Sequence, residues 1–294
     1  MQPWYSRSSC WRSAELALPN RDDIRAQVSL ALAEDLGSGD RTAGLIPADA
    51  SSRVRVICRE AAVICGTAWF EAVFHQLDPA IAIQWHCRDG SDIAADQLVC
   101  ELSGNTRALL SGERTALNYL QTLSGTATLT KRYVDAVAGT GVRILDTRKT
   151  VPGLRLQQKY AVTCGGGHNH RIGLFDAILI KENHIKAAGS IRAAIKAAQQ
   201  QAADIEIEVE VESLDELDEA LDAGARRILL DNFSLESLRQ AVKRVQGRAR
   251  LEASGGVTLG TIRGIAETGV DDISVGALTK DVKAVDLSMR FIDD

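Results

Sequence analysis

Residues 205–254 read IEIEVEVESLDELDEALDAGARRILLDNFSLESLRQAVKRVQGRARLEAS, and this stretch decides the fold class. IEIEVEV (205–211), RILL (227–230) and RLEAS (250–254) carry the alternation or the short apolar run of a strand. Between them, SLDELDEALDAG and SLESLRQAVKRV repeat Leu and Ala at the spacing of an amphipathic helix. Short strands alternating with helices are βαβ units, and βαβ units build a parallel sheet. The rhythm continues outward in both directions. VRILD (142–146) and AILI (177–180) precede it, DISV (272–275) follows, and SIRAAIKAAQQQ and TLGTIRGIAETG are further helices. None of these strands is followed by the glycine fingerprint of a dinucleotide-binding open sheet. The expectation is a TIM-like (β/α) barrel, short by one or two units.

Upstream the pattern differs. Asp22 or Asp23 is placed to cap a helix through IRAQVSLALAEDL that stops at Gly37. RVRVICR (53–59) and IAIQWHC (81–87) alternate as strands around a short helix, GTAWFEAVFHQL. Residues 106–141 are helical in pattern, divided by the Ser-Gly pairs at 111–112 and 124–125. The expected division is an irregular extension over 1–20, an α/β domain over 21–126 and the barrel over 127–284. Residues 285–294 are expected to pack on the α/β domain. The extension is Arg- and Ser-rich like a transit peptide, but it is short and contains Glu15, so a ragged lead-in is the preferred reading.

The composition excludes several classes. With 294 residues, 45% of them hydrophobic and 25% charged, the chain reads as a soluble globular protein with a sizeable core. A net charge of −5 argues against a general nucleic-acid surface, and 4% aromatic residues argue against a base-stacking platform. No run is long enough for a membrane span. Six cysteines without a C-x-x-C pair read as reduced residues of a cytoplasmic protein.

A barrel places its chemistry at the C-terminal ends of its strands. Those ends carry Asp146-Thr147-Arg148-Lys149, then CGGGHNHR with His168, His170 and Arg171, then Lys181-Glu-Asn-His184, Asp231-Asn232, Ser254-Gly255-Gly256, and Gly276. Alternation puts Glu206, Glu208, Glu210 and Glu212 on one face of their strand. A parallel strand is covered on both sides, so these carboxylates require cations. Arg148, Lys149, Arg171 and Lys181 are the expected partners. Cations beside Glu210 and Asp231 describe a site for a polyanion with a divalent ion such as Mg²⁺. SGGVT (254–258) opens a helix and supplies a phosphate cradle, with the Gly276 loop beside it. The histidines have no obvious carboxylate complement and read as anion or hydrogen-bond contacts. Asp271 and Asp272 read as helix-to-strand turn residues. Arg107 and Arg114 share a helical face, either as solvated charges or as an anion clamp.

DTRKT, GGGHNHR, LIKENH, EVEVES, LLDNF and EASGG, in this order, with EDLGSGDRT and SGERTALNYLQTLSG upstream, resemble the quinolinate phosphoribosyltransferase family from about residue 21 onward. The resemblance implies an N-terminal open α/β sandwich, an incomplete C-terminal barrel and a homodimer. It also implies transfer of phosphoribose from PRPP to the nitrogen of quinolinate with loss of the 2-carboxylate. The products would be nicotinate mononucleotide, pyrophosphate and CO₂, in de novo NAD synthesis with Mg²⁺.

Carried over by motif, Arg114 would reach a quinolinate carboxylate across the dimer. Arg148, His170 and Arg171 would hold the pyridine dicarboxylate, with Thr147 a further substrate contact. Lys149 and Lys181 would bridge toward PRPP. Glu210 and Asp231 would face the ribose and the Mg-pyrophosphate, and Ser254, Gly255, Gly256 and Gly276 would receive the phosphate. Competing readings are a relative acting on another acceptor, a Schiff-base lyase using Lys181, and a non-catalytic anion-binding protein.

Overall fold

The computed structural model describes residues 18–201 and 205–292. The expected irregular extension therefore lies almost wholly outside the described residues. The chain forms two compact units, one built from Arg132–Thr150 and Gly167–Ala277, the other from Leu18–Lys131, Val151–Gly166 and the segment from Leu278 onward.

The second unit begins with helix α1 (Arg21–Leu36). Its cap is Asn20, whose side chain accepts the Asp23 N–H at 3.0 Å, so the cap lies just before the two aspartates expected to provide it. The helix ends at Gly37, whose φ of 50° suits a residue without Cβ. There follow β1 (Ser51–Cys58), β2 (Ala62–Val63), α2 (Thr67–Leu77), β3 (Ala82–Trp85), β4 (Asp92–Ile93), β5 (Gln97–Asn105) and α3 (Thr106–Ala136). Val54, Val56 and Cys58 of β1 point inward at period two and share one core cluster with Trp69, Phe70 and Phe74 of α2, all six at most 1% exposed. Each such side chain contributes about 1.5–3 kcal/mol.

α3 corrects the sequence reading: it is one helix of 31 residues, and neither Ser-Gly pair interrupts it. The glycines are sites of close approach. A Cβ on Gly125 would lie 2.1 Å from the Lys283 carbonyl oxygen, and one on Gly112 would lie 2.9 Å from Phe74. Ser124 turns its hydroxyl to the backbone of Cys65, bonding both its N–H and its C=O.

The barrel unit runs through β6 (Arg143–Leu145); then α4 (Arg155–Cys164) belongs to the second unit. The barrel resumes with β7 (Ile178–Ile180), α5 (Glu182–Ala188), α6 (Ile191–Gln201), β8 (Ile207–Val211), α7 (Leu214–Asp222), β9 (Arg227–Asp231), α8 (Leu235–Val245), β10 (Arg250–Ser254), α9 (Ile262–Ala266) and β11 (Asp272–Ser274). Ser213 and Ser234 cap α7 and α8 by accepting the N–H of Glu216 and of Ser237. The six strands form one parallel sheet in the order β6-β11-β10-β9-β8-β7. Beside β6 the Gly-rich segment supplies one parallel bridge, Leu145 to His168. This is an incomplete TIM-like barrel.

A short α10 (Ala277–Lys280) leads to β12 (Leu287–Phe291), which pairs antiparallel with β1. The four-stranded sheet of the second unit thus has the order β12-β1-β5-β3, with β2 and β4 as a separate pair. No helix among the described residues is long and apolar enough to cross a membrane.

Candidate active site

Register decides which side chains share the barrel interior. Glu210 pairs with Leu229, Arg250 with Arg227, Glu252 with Leu229 and with Asp272, and Asp272 with Arg143. Paired residues of neighbouring strands point the same way. Glutamates, arginines and an aspartate from five strands therefore meet inside. Arg227, 2% exposed, is the hub: its guanidinium reaches Glu208 at 3.0 Å, Glu252 at 2.6 Å and Asp272 at 3.3 Å. Arg143 and Arg250 close on Asp272 from either side, at 2.8 and 2.6 Å. Burial opposes ionisation of Asp272, but Arg250, Arg143 and Arg227 outweigh it and hold its pKa below the usual carboxylate value.

His170 rests on this layer. Its Nε2 lies 3.0 Å from Glu208 and 3.4 Å from Glu252. Burial favours the neutral ring, yet Glu252 and Glu208 outweigh it and hold the imidazole up at about 9. The Arg171 backbone N–H donates to Nδ1 at 2.8 Å, which pulls the other way; two carboxylates within 3.4 Å set the direction. His170 thus has the carboxylate complement that the sequence reading did not find for it. Because Arg227 already bonds both carboxylates, the cluster is an ion network and carries no metal assignment.

Above this layer sits the rim. Lys181, at the end of β7, places Nζ 2.5 Å from Glu210 Oε2. Arg171 is buried, and burial and the neighbouring Arg148 pull its pKa down, against Asp176, Glu208 and Glu210. Asp146, fully buried at the end of β6, orders the loop that presents these groups. It accepts the His170 N–H at 2.8 Å and the Asn169 side-chain amide at 2.6 Å. Lys149, Thr147 and Gly276 come together: a Cβ on Gly276 would meet the Lys149 side chain at 3.2 Å and Thr147 Oγ1 at 3.7 Å. On the next edge Asp231 is paired in register with Ser254, and Gly255 and Gly256 follow with φ of 99° and 57°. Side chains are disfavoured at such angles, which leaves the amides of this loop accessible at close range.

The barrel unit therefore brings together Thr147, Arg148, Lys149, His170, Arg171, Lys181, Glu210, Asp231, Ser254, Gly255, Gly256 and Gly276 at its strand ends. Arg114 lies in the other unit, exposed on α3, and its side chain makes no hydrogen bond among the described residues. Arg107 is a structural residue whose guanidinium donates to the Ile46 carbonyl. His184 is one as well: its Nδ1 accepts the Lys181 N–H at 3.0 Å in the first turn of α5.

Of the four aligned glutamates, Glu208 and Glu210 are buried, Glu206 is half-buried and Glu212 lies exposed beyond the strand end. Their cations are a correction in part. Lys181 takes Glu210 as expected, but Glu208 is held by Arg227 and His170. Asp272 is a buried member of the network rather than a turn residue. The same alternation that aligned the glutamates puts Arg227 on the face of Asp231, and Arg250 and Glu252 on the face of Ser254, a signal that marks their face but not their partners.

The chain matches the family model of the quinolinate phosphoribosyl transferase C-terminal domain over residues 126–290 and that of the N-terminal domain over residues 39–124. The chain belongs to the quinolinate phosphoribosyl transferase family. It is 43% identical over 257 residues to the probable carboxylating nicotinate-nucleotide pyrophosphorylase of Bacillus subtilis, covering 87% of this chain and 89% of that protein. It is 40% identical over 289 residues to the mitochondrial decarboxylating quinolinate phosphoribosyltransferase 2b of Nicotiana tabacum, covering 91% and 82%. The structure of the nicotinate-nucleotide pyrophosphorylase from Francisella tularensis superposes with a TM-score of 0.92 at 45% identity, over 96% of this chain and 100% of that one. The border between the two family domains falls inside α3, at its second Ser-Gly pair.

In this quinolinate phosphoribosyl transferase family member, Glu210 and Asp231 form a hard-donor set. Each already spends one oxygen, Glu210 on Lys181 and Asp231 on the Asn232 amide at 2.7 Å. One oxygen of each remains, which fits Mg²⁺ held mainly by substrate phosphates and water. Lys181 Nζ is tied to the Glu210 carboxylate at 2.5 Å rather than turned to an open cavity, which weighs against Schiff-base chemistry.

Proposed function

We propose that the protein transfers phosphoribose from PRPP to the ring nitrogen of quinolinate and releases the 2-carboxylate as CO₂, forming nicotinate mononucleotide and pyrophosphate for de novo NAD synthesis. The observation that carries this reading is the gathering of Arg148, Lys149, Arg171 and Lys181 at the strand ends of one barrel unit, in a member of this family. Quinolinate is a dianion and PRPP a polyanion, and both need fixed cations in a protein whose net charge is −5.

In the first step the bond from ribose C1 to pyrophosphate breaks as the pyridine nitrogen attacks C1. Negative charge grows on the leaving group and positive charge on the sugar ring. Lys149 and Lys181 face the former; Glu210 and Asp231 would hold Mg²⁺, which would supply further charge neutralisation. The Glu210 carboxylate faces the latter. The Ser254–Gly255–Gly256 loop and Gly276 receive the 5′-phosphate, and His170 fixes the acceptor with Arg148, Arg171 and Thr147. Alkylation then makes the ring nitrogen cationic. The electrons left when the adjacent C–CO₂ bond breaks fall next to that charge, and the C2 carbanion takes up a proton from water, so decarboxylation needs position rather than a dedicated acid.

The protein works in the cytoplasm as a homodimer in which Arg114 completes the partner's acceptor site. Support for this assignment is its exposure without a side-chain hydrogen bond among the described residues. The acceptor is tested by incubating the enzyme with PRPP and Mg²⁺ plus either quinolinate or nicotinate. Nicotinate mononucleotide from quinolinate alone is expected; product from nicotinate alone would overturn the reading.

A further inference from the structure

Asn232, immediately after β9, has the backbone of a residue that ought to be glycine: its φ is 57°. Few non-glycine residues adopt this region, and those that do there are worth a functional question. The contacts of Asn232 answer it. The backbone N–H donates to the Ser254 carbonyl at 2.9 Å, continuing the β9–β10 ladder one step past the Asp231–Ser254 pair. The side-chain Nδ2 donates to Asp231 Oδ2 at 2.7 Å. The side-chain Oδ1 lies over the Gly255 Cα, where a Cβ would come within 2.1 Å of it.

One side chain therefore touches both halves of the donor end of the site: the carboxylate assigned to the Mg-pyrophosphate and the glycine loop assigned to the 5′-phosphate. We propose that Asn232 is a positioning residue for PRPP, which fixes the rotamer of Asp231 and the distance from it to the Ser254–Gly256 loop. This rests on the phosphoribosyltransferase reading above. The glycine at 255 is explained by the same contact, since any side chain there would displace the Asn232 amide. Removing the amide frees Asp231 to swing and leaves the loop unbraced, whereas the acceptor groups after β6 and on the His170 loop lie elsewhere in the sheet and stay in place.

The test uses Asn232→Gly, which keeps the left-handed backbone free of strain and deletes only the amide, with Asn232→Asp as its companion. Asn232→Asp keeps the shape but replaces the donor with a second negative charge beside Asp231. Binding of PRPP with Mg²⁺ is measured by calorimetry without acceptor, and turnover is measured with each substrate varied. Asn232→Gly is expected to weaken PRPP binding about tenfold to a hundredfold, the effect of losing a hydrogen bond to a charged group. The KM for quinolinate should stay within about threefold, and Asn232→Asp should bind PRPP no better than Asn232→Gly. Native-like PRPP binding by Asn232→Gly, or an equal loss toward both substrates, overturns the proposal while leaving the functional reading intact. Absence of PRPP binding by the unaltered enzyme overturns both.

Discussion

Arg227 donates to Glu252 at 2.6 Å in the barrel interior, with 2% of the arginine and none of the glutamate exposed. Buried pairs of this kind are maintained by completeness. Removing one member leaves charges in a place that water does not reach, and costs about 3–5 kcal/mol. Arg227→Met, close in volume but uncharged, leaves Glu208 and Glu252 without their shared guanidinium. Urea unfolding should show a loss in that range, and His170 should lose its fixed partners with it. A loss below about 1 kcal/mol would mean that the network is not structural.

Asp272 gives the pH counterpart. Its folded pKa lies below the unfolded value, so the unfolded chain binds its proton first as pH falls. The stabilisation is therefore complete above about pH 4 and lost below it, as pH falls through the folded pKa. Asp272→Asn should be less stable than the native protein at pH 7, and the difference should shrink as pH falls below about 4. A constant difference across that range, by urea titration at each pH, would contradict the assignment.

At the rim, Lys181 is salt-bridged to Glu210, and the proposed mechanism sets it against the leaving group. Lys181→Ala should lower kcat about 10²- to 10³-fold, the range for deleting one preorganised donor to developing charge, with a smaller effect on the KM for quinolinate. Steady-state rates with each substrate varied are the check. A change confined to the KM for quinolinate would place Lys181 on the acceptor instead.

Arg171 separates the substrates the other way. Arg171→Ala should raise the KM for quinolinate about tenfold to a hundredfold, from the loss of a charge-assisted hydrogen bond. The Kd for PRPP should be nearly unchanged. Equal losses for both ligands would mean that the loop, and not the guanidinium, was disturbed.

The barrel and the residue types at its rim were legible because each is a local property of the chain: a period of two or 3.6, and the residue standing at a strand end. What was not legible depends on register. Nothing local in RRILLDN says that Arg227 lies between Glu208 and Glu252, because that follows from how β8, β9 and β10 are staggered. β5 was missed, and residues 285–294 were placed on the α/β domain without being read as a strand, for a related reason: each forms its ladder with β1 from far along the chain. The Ser-Gly pairs of α3 were read as breaks because glycine weakens a helix locally. Gly112 and Gly125 are tolerated because α2 and the segment at Lys283 approach too closely for any side chain. His170 was placed at the site by its motif, and only the fold reveals that two glutamates beneath it hold the ring.

The most direct test is quinolinate labelled at its 2-carboxylate, supplied with PRPP and Mg²⁺. Labelled CO₂ should appear in equal amount with pyrophosphate and nicotinate mononucleotide. Pyrophosphate release with the label retained in a stable dicarboxylate nucleotide would contradict the claim that this site, by positioning alone, completes both steps.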